Sequence, residues 1–323
     1  MPKGSQHWIA FASSLLFLAA IFFILGREQS VGVLAEVWNR TDPAALTLAT
    51  LLILFVQAVG AWRVKVITTA DGLTSIKFLS LFRIQLISQF VAHGAPISAL
   101  SDIAKAAMLK LRFNLAAVHA IRLVLYERAC GALAAVVVGL AATFVQLTLG
   151  MPQDLVLAQL LLWGAGCAGV AVLLTIGGVR VNTGIDLVDR AVGAVIGLGH
   201  LLRQSWVVSQ LLLACAVQLF GLALVFIVLA RGMHLPVSPL HIFLFMPLIF
   251  FVSSLPVFYL GWGGREAVVI ATLGTTGNMT KAEAVALSVA FGVAVFLASL
   301  PGAVFWAIRP SMRKAIQREI QKA

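Results

Sequence analysis

Long apolar runs separated by short polar stretches dominate this sequence. Six of them approach or exceed the ~20 residues that an α-helix needs to cross a ~30 Å hydrocarbon core. These runs cover residues 8–25, 44–62, 123–149, 155–178, 206–230 and 282–308. No clear small-residue cleavage site follows the first run, which therefore indicates an uncleaved span and not a signal peptide. The pattern predicts six transmembrane helices.

Two further apolar segments, residues 78–100 and 240–277, are interrupted in the middle. The first contains Gly94 and Pro96, and the second contains Pro256 and a glycine cluster at 261–264. A broken helix is tolerated at membrane depth only where its freed backbone is buried in protein or lines a cavity. We therefore predict that each segment forms a re-entrant helical hairpin.

Basic residues flank both ends of the first interrupted segment. They are Arg63, Lys65 and Lys77 before it, and Lys105, Lys110 and Arg112 after it. Since cytoplasmic loops are enriched in Lys and Arg, both ends are expected in the cytoplasm. Six spans and two hairpins, with both termini cytoplasmic, put 18 of the 23 Lys and Arg residues on that side. Eight full spans would put one of the two basic flanks on the wrong side.

The same topology divides the chain into two similar halves, residues 1–150 and 151–310, followed by a basic cytoplasmic tail at 311–323. Each half has the order span, span, hairpin, span, and the two hairpins enter from opposite faces. Broken helices in corresponding positions of two halves indicate an inverted repeat with a binding site near the midplane. The predicted fold is an all-α polytopic membrane protein with six transmembrane helices and two opposed re-entrant hairpins.

The composition supports one integral membrane domain over residues 1–323. Hydrophobic residues make up 61% of the chain and charged residues 11%, with a mean hydropathy of +1.03. A soluble domain carries about 25% charged residues. The sequence has no Gly-x-x-x-x-Gly-Lys-Ser/Thr loop and no Cys/His metal-binding spacing. We expect no cofactor, no metal and no nucleic-acid partner, and nothing indicates ATP hydrolysis by this chain.

Arg265 and Glu266 are charged residues inside the second interrupted segment. A charged side chain at bilayer depth costs at least ~2.5 kcal/mol, so such residues usually belong to a substrate pathway. Gly261, Gly263 and Gly264 precede them, and the free N–H groups at a helix start would favour phosphate or carboxylate together with the guanidinium. The alternative is a glycine-packed kink in which Arg265 and Glu266 neutralise each other.

The first interrupted segment carries charges just after its break at Pro96. Ser101 and Asp102 are predicted to cap the helix that follows, with Lys105 or Arg128 as the counter-charge of Asp102. Asp102 and Lys105 are three residues apart and share a helix face. One interpretation is a capped interfacial helix whose charges neutralise each other. The other is that this helix presents its positive N-terminal end to an anionic head group.

Glu127 and Arg128 follow near the start of the next predicted span. Glu127 is expected near the inner edge of the apolar layer, and Arg128 can extend its charge to the same interface. Two roles stay open for Glu127. It pairs with a Lys or Arg of the first hairpin and fixes that hairpin, or it is a titratable group on the substrate path.

Three short motifs occur in fixed order along the chain. They are Pro96 with Asp102 and Lys105, then Glu127-Arg128-x-x-Gly131, then Pro256 with Gly261-Trp262-Gly263 and Arg265-Glu266. They resemble the Pro…Gly-Gly-Asp-x-x-Arg, Asp/Glu-Arg-x-x-Gly and Pro…Gly-Gly-x-Gly-x-Arg-Glu elements of the lysylphosphatidylglycerol synthase/flippase transmembrane family. The resemblance spans nearly the whole chain. The sequence departs from it at Leu100-Ser101, where the family has a glycine pair, at Lys105, where it has arginine, and at Leu260, where it has glycine.

The resemblance implies a flippase-like protein of the bacterial inner membrane that moves an anionic phospholipid or a polyprenyl-linked sugar between leaflets. Arg265 would hold the head-group phosphate, and Asp102 and Glu266 would position basic partners or exchange a proton. Pro96, Pro256, Trp262, Glu127 and Arg128 would support this site. The soluble aminoacyl-transfer domain of full-length synthases does not occur in this sequence, so lipid lysinylation is not implied. Two alternatives stay open: a membrane-embedded transferase acting on a lipid phosphate, and a non-transporting scaffold for an envelope-biosynthesis enzyme, namely a glycosyltransferase.

Overall fold

The chain is helical throughout the part that the structure describes. The structure, a computed structural model, describes residues 30–93, 99–176, 196–199, 201, 203–254 and 263–308. Its longer helices are α1 (Ser30–Asn39), α2 (Pro43–Ala70), α3 (Phe78–His93), α4 (Ala99–Phe113), α5 (Ala117–Thr148), α6 (Gln153–Ile176), α7 (Ser205–Gly232), α8 (Pro239–Ser254), α9 (Gly264–Thr276) and α10 (Lys281–Ala307). These residues contain no strand, so the predicted all-α class is confirmed.

Four helices, α2, α5, α7 and α10, are long and apolar enough to cross a membrane. They cover four of the six predicted spans, and α6 covers most of a fifth. The first predicted span, residues 8–25, lies outside the described residues. Local caps mark two of the helix starts. Asp42 Oδ1 accepts a hydrogen bond from Ala44 N–H (2.8 Å) before α2, and Thr280 and Glu283 form a reciprocal capping box before α10.

α2 extends well beyond the apolar run that predicts it. The run ends at Trp62, and the sequence predicts Arg63 as a basic residue flanking the membrane. That prediction is wrong, because the helix continues to Ala70 and only 7% of Arg63 is exposed. Side chains of two other helices, Glu127 and Gln218, accept hydrogen bonds from the guanidinium. A charge with such partners does not mark the end of a buried segment.

Two pairs of short helices fold back on themselves. The longest members, α3 and α8, have 16 residues each, which at 1.5 Å per residue reach about 24 Å, less than the thickness of the hydrocarbon core. Arg112, in the last turn of α4, donates from Nη2 to Ser80 Oγ in the first turn of α3 (3.2 Å). Gly277, directly after α9, lies against Val237, just before α8. In each pair, the start of the first helix lies close to the end of the second. Each pair is therefore a helical hairpin, and we call this side its open end.

The two hairpins open at opposite ends of α2. Lys65, near the end of α2, donates from Nζ to the carbonyl oxygens of Thr74 (2.8 Å) and Ile76 (2.6 Å), which lie just before α3. At the other end of α2, the Asp42 N–H donates to the carbonyl oxygen of Gly232, the last residue of α7 (2.9 Å). The α8–α9 hairpin follows α7 after a short loop. The two hairpins thus approach each other from opposite ends of the bundle.

The helix packing keeps the same pattern when α2 to α5 are exchanged with α7 to α10. α2 packs along α7 in the most extensive helix contact. α3 packs on α10 as α8 packs on α5, and α4 lies against α3 and α5 as α9 lies against α8 and α10. Two hydrophobic cores follow the same division. One lies among the first half of α2 and α7 to α10, and the other among the second half of α2, α3 to α5 and the start of α7.

Candidate functional site

A pocket of about 290 Å³ lies where the inner ends of the two hairpins meet. Its wall includes Gln89 near the end of α3, Asp102 at the start of α4, Ser254 at the end of α8 and Arg265 at the start of α9. The long helices α2, α5, α7 and α10 complete the wall. Among the described residues, six charged side chains line it: Arg63, Asp102, Lys105, Glu127, Arg128 and Arg265.

Glu127 binds two cations in this pocket. Its Oε2 accepts a hydrogen bond from Lys105 Nζ (2.5 Å), and its Oε1 accepts one from Arg63 Nη2 (3.3 Å). At most 7% of each of these three residues is exposed. The predicted ion pair between Glu127 and a basic residue of the first hairpin is therefore present, and Arg63 of α2 joins it. One carboxylate between two buried cations leaves the cluster positively charged.

Three glutamines surround this cluster. Arg63 Nη1 donates to Gln218 Oε1 of α7 (2.8 Å), and Lys105 Nζ donates to Gln85 Oε1 of α3. Gln85 Nε2 donates in turn to Gln57 Oε1 of α2 (2.8 Å). Amide oxygens replace part of the hydration that the cations lose on burial, but they add no negative charge.

Gly131 leaves space for the Arg63 guanidinium. Glu127 and Gly131 lie one turn apart on the same face of α5, and a Cβ atom at position 131 would lie 3.4 Å from Arg63 Nη1. A side chain larger than that of alanine would need the volume that the guanidinium occupies. The Glu-Arg-x-x-Gly motif therefore has a physical basis here, because its glutamate binds Arg63 and its glycine accommodates it.

Arg128 connects the two hairpins. Its Nε and Nη2 donate to Asp102 Oδ1 (3.2 and 3.0 Å), and its Nη1 donates to the carbonyl oxygen of Ser254 (3.2 Å). Arg128 is thus the counter-charge of Asp102, one of the two that the sequence predicts. The predicted cap is wrong, because α4 begins at Ala99 and Asp102 lies within its first turn. The Asp102 carboxylate is bound to Arg128 on another helix.

Arg265 and Glu266 form a buried ion pair at the start of α9. Arg265 Nη2 donates to Glu266 Oε1 (2.9 Å), and its Nε donates to Ser288 Oγ of α10 (2.8 Å). The Ser288 hydroxyl donates to the same carboxylate oxygen (2.7 Å). The guanidinium carbon lies 5.0 Å from the centroid of the Phe291 ring. Arg265 is neutralised by its neighbour, as one interpretation of the sequence predicts, and it also lines the pocket.

Gly263 fixes the start of α9. Its φ of +88° is strained for any residue with a side chain, and its N–H donates to Glu266 Oε2 (2.5 Å). Glu266 therefore caps its own helix from the third helical position, and Gly264 is the first helical residue. This carboxylate holds both the helix start and the Arg265 side chain.

The pocket brings together five of the predicted site residues, and three more support it. Asp102, Lys105, Glu127, Arg128 and Arg265 line the pocket, while Gly263, Gly264 and Glu266 adjoin Arg265 outside its wall. The predicted site residues Pro96, Pro256, Gly261 and Trp262 lie outside the described residues. The sequence analysis misses Arg63, Gln57, Gln85 and Gln218, which also line the pocket. Their signal is a polar residue inside or at the end of an apolar run.

The described pocket wall carries more positive than negative side chains. Its four cations outnumber its two carboxylates, and Glu266 behind Arg265 still leaves one uncompensated positive charge. The Arg63 Nε atom is buried and has no hydrogen-bond acceptor among the described residues. A buried donor without an acceptor and a buried charge without a partner both cost free energy. An anion such as a phosphate or a carboxylate in the pocket would reduce both costs.

A comparison with protein families matches most of the chain. The model of the family described as "Lysylphosphatidylglycerol synthase TM region" matches residues 9–302 of the 323-residue chain. A search of curated proteins found no match. The matched range includes both hairpins and the charged pocket between them. This chain therefore belongs to the family of the lysylphosphatidylglycerol synthase transmembrane region.

Proposed function

We propose that this protein is a flippase-like transporter that moves a phosphate-bearing lipid between membrane leaflets without hydrolysing ATP. The observation that carries the proposal is the cationic pocket where the two helical hairpins meet. Secondary transporters build their substrate sites in this way, between discontinuous helices near the bilayer midplane. The lipid is an anionic phospholipid or a polyprenyl-linked sugar, since both present phosphate.

In this proposal the chain has six spans and two re-entrant hairpins in a bacterial inner membrane. Hairpins that open at opposite ends of α2 support entry from opposite leaflets. The exchangeable packing of α2 to α5 and α7 to α10 supports an inverted repeat of residues 1–150 and 151–310. The distribution of Lys and Arg favours cytoplasmic termini, with a basic tail at 311–323.

Arg63, Lys105 and Arg265 bind the head-group phosphate in this proposal. All three line one pocket, and the planar guanidinium of an arginine can donate two parallel hydrogen bonds to a phosphate. Glu127 and Glu266 hold these cations when no lipid is bound, because a bare buried cation is costly. Asp102 and Arg128 join the two hairpins across the pocket.

Lipid movement in proteoliposomes tests this function. A phosphatidylglycerol with a fluorescent tail is placed in both leaflets, and dithionite is added outside to bleach the dye it can reach. Arg265→Gln is expected to slow movement about tenfold or more, because a hydrogen bond to a charged group contributes about 1.5–3 kcal/mol. Arg265→Lys keeps the charge but cannot form the bidentate hydrogen bonds of a guanidinium. It should therefore slow movement less than Arg265→Gln does. Arg40→Gln removes an exposed arginine far from the hairpins in sequence and serves as the matched control.

Four other results would change the conclusion. A parental rate for Arg265→Gln would remove Arg265 from the site. Movement no faster than in protein-free liposomes would overturn the transporter. Formation of a modified lipid by the purified protein would favour a membrane-embedded transferase, and co-purification of an envelope enzyme without lipid movement would favour a scaffold.

A further inference from the structure

We propose, resting on the transport function above, that the pocket selects lipids whose phosphate carries an uncharged, hydroxyl-bearing head group such as glycerol or a sugar. Lipids with a cationic head group are excluded. Two features of the described pocket carry this inference: its carboxylates are already bound to cations of the protein, and the rest of its polar wall consists of amides and hydroxyls. The lipid that gives the family its name, lysylphosphatidylglycerol, has a cationic head group and is therefore expected to be a poor substrate.

The carboxylates in and directly beside the described pocket already bind cations of the protein. Asp102, Glu127 and Glu266 each accept hydrogen bonds from at least one Arg or Lys side chain. An ammonium group has only donors and carries a positive charge, which the neutral amide and hydroxyl oxygens of the wall do not compensate. A cationic head group would have to displace a buried arginine or lysine from its carboxylate, which leaves that cation without a partner.

The net positive charge of the described pocket wall also disfavours a cationic head group. Four cations and two carboxylates line the described wall, and charges in a protein interior are screened less than in water. A phosphate reduces this excess of positive charge, whereas an ammonium group increases it. The lysyl ester of phosphatidylglycerol carries two ammonium groups against one phosphate, so the whole head group is repelled.

The neutral part of the wall matches hydroxyl groups. Gln85, Ser88 and Gln89 line the pocket from one face of α3, since they are three and four residues apart. The Gln89 side chain makes no hydrogen bond to a described residue, and an amide offers both donors and an acceptor. Ser253 and Ser254 of α8 donate to carbonyl oxygens of their own helix and keep oxygen lone pairs for a ligand.

The hydroxyl-binding face adjoins the phosphate-binding cations. Gln85 accepts a hydrogen bond from Lys105 Nζ, and Gln89 lies one turn further along α3, towards its C-terminal end. A phosphate at Arg63 and Lys105 would therefore carry its glycerol or sugar beside Gln89. The volume of about 290 Å³ is at the lower end of the ~300–1,000 Å³ of small-molecule sites, so it suits one glycerol or one sugar and not a long glycan.

The experiment compares four lipids with fluorescent tails in the proteoliposome assay. Phosphatidylglycerol and phosphatidylinositol carry hydroxyls, phosphatidylmethanol has the same phosphate diester without hydroxyls, and lysylphosphatidylglycerol is cationic. We expect phosphatidylglycerol and phosphatidylinositol to move about tenfold faster or more than lysylphosphatidylglycerol, with phosphatidylmethanol between them, since about 1.4 kcal/mol of discrimination is tenfold. A preference for phosphatidylinositol over phosphatidylglycerol would indicate that a sugar-like ring is the natural head group.

Gln89→Leu distinguishes loss of the contact between Gln89 and the lipid hydroxyls from a folding defect. It should bring the ratio of phosphatidylglycerol to phosphatidylmethanol rates towards one, whereas a folding defect lowers both rates and keeps the ratio. An unchanged ratio overturns the role of α3. Movement of lysylphosphatidylglycerol as fast as phosphatidylglycerol overturns the charge argument but leaves lipid transport intact. If none of the four lipids moves faster than in protein-free liposomes, the proposed function fails and this inference fails with it.

Discussion

Glu127 is the residue on which the charge arrangement of the pocket depends. One of its oxygens binds Lys105 of α4 and the other binds Arg63 of α2. A complete buried ion pair adds little net stability, but removal of one partner leaves an uncompensated charge and costs about 3–5 kcal/mol. Glu127 has two such partners, so its removal leaves two buried cations without a carboxylate partner.

Glu127→Gln is therefore expected to lower the free energy of unfolding by about 3 kcal/mol or more. Thermal unfolding of the purified protein in detergent measures this loss. The double variant Lys105→Met with Glu127→Gln removes both charges of one pair, so it should lose less stability than the two single variants together. Strictly additive losses would show that Lys105 and Glu127 do not stabilise each other.

At the scale of helices, the sequence predicts the start of α9 correctly and the start of α4 incorrectly. α9 begins at Gly264, directly after Gly263, whose positive φ interrupts a helix. The N-cap predicted at Ser101 and Asp102 is wrong, because α4 begins at Ala99, before this polar pair.

The partners of the buried charges could not be predicted from the sequence. Arg63 and Gln218 are 155 residues apart, and Lys105 and Glu127 are 22 apart. These contacts depend on how α2, α4, α5 and α7 pack, and hydropathy gives the length of each helix but not its neighbours. The Arg265–Glu266 pair could be predicted because its members are adjacent in sequence.

The close approach of α10 to α3 gives a prediction at the same scale. A Cβ atom on Gly302 of α10 would overlap the carbonyl oxygen of Leu86, a backbone atom that cannot rotate away. Gly302→Ala is therefore expected to cost about 1–3 kcal/mol of stability through overpacking, seen as a lower unfolding temperature in detergent. Gly164→Ala in α6 meets nothing within 4 Å and should leave that temperature unchanged or raise it, since alanine favours a helix. Equal effects of the two changes would contradict the close approach.

At the scale of the whole molecule, the described helices α2 to α5 and α7 to α10 form two interlocked units that share α2 and α7. Each hydrophobic core contains one hairpin, and the two cores occupy opposite halves of α2. The hairpin of one unit packs on the last long helix of the other, α3 on α10 and α8 on α5. The pocket lies between the units and takes residues from both hairpins. A small relative rotation of the units would therefore change access to the pocket from one side or the other, which the proposed transport requires.

This architecture predicts which loops share a side of the membrane. Thr74 and Ala116 bracket the first hairpin, and Pro236 and Thr275 bracket the second; all four are exposed. Each is changed to cysteine in a background whose three native cysteines are replaced by serine, and intact cells are treated with a membrane-impermeant maleimide. In the proposed topology both hairpins return to the side from which they enter, so 74 and 116 should behave alike, and so should 236 and 275. Since the hairpins open at opposite ends of α2, the two pairs should label from opposite faces, with 74 and 116 protected on the cytoplasmic side.

Labelling of 74 without 116 would mean that the first segment crosses the membrane once. Labelling of all four from one face would remove the opposed hairpins and the inverted repeat together.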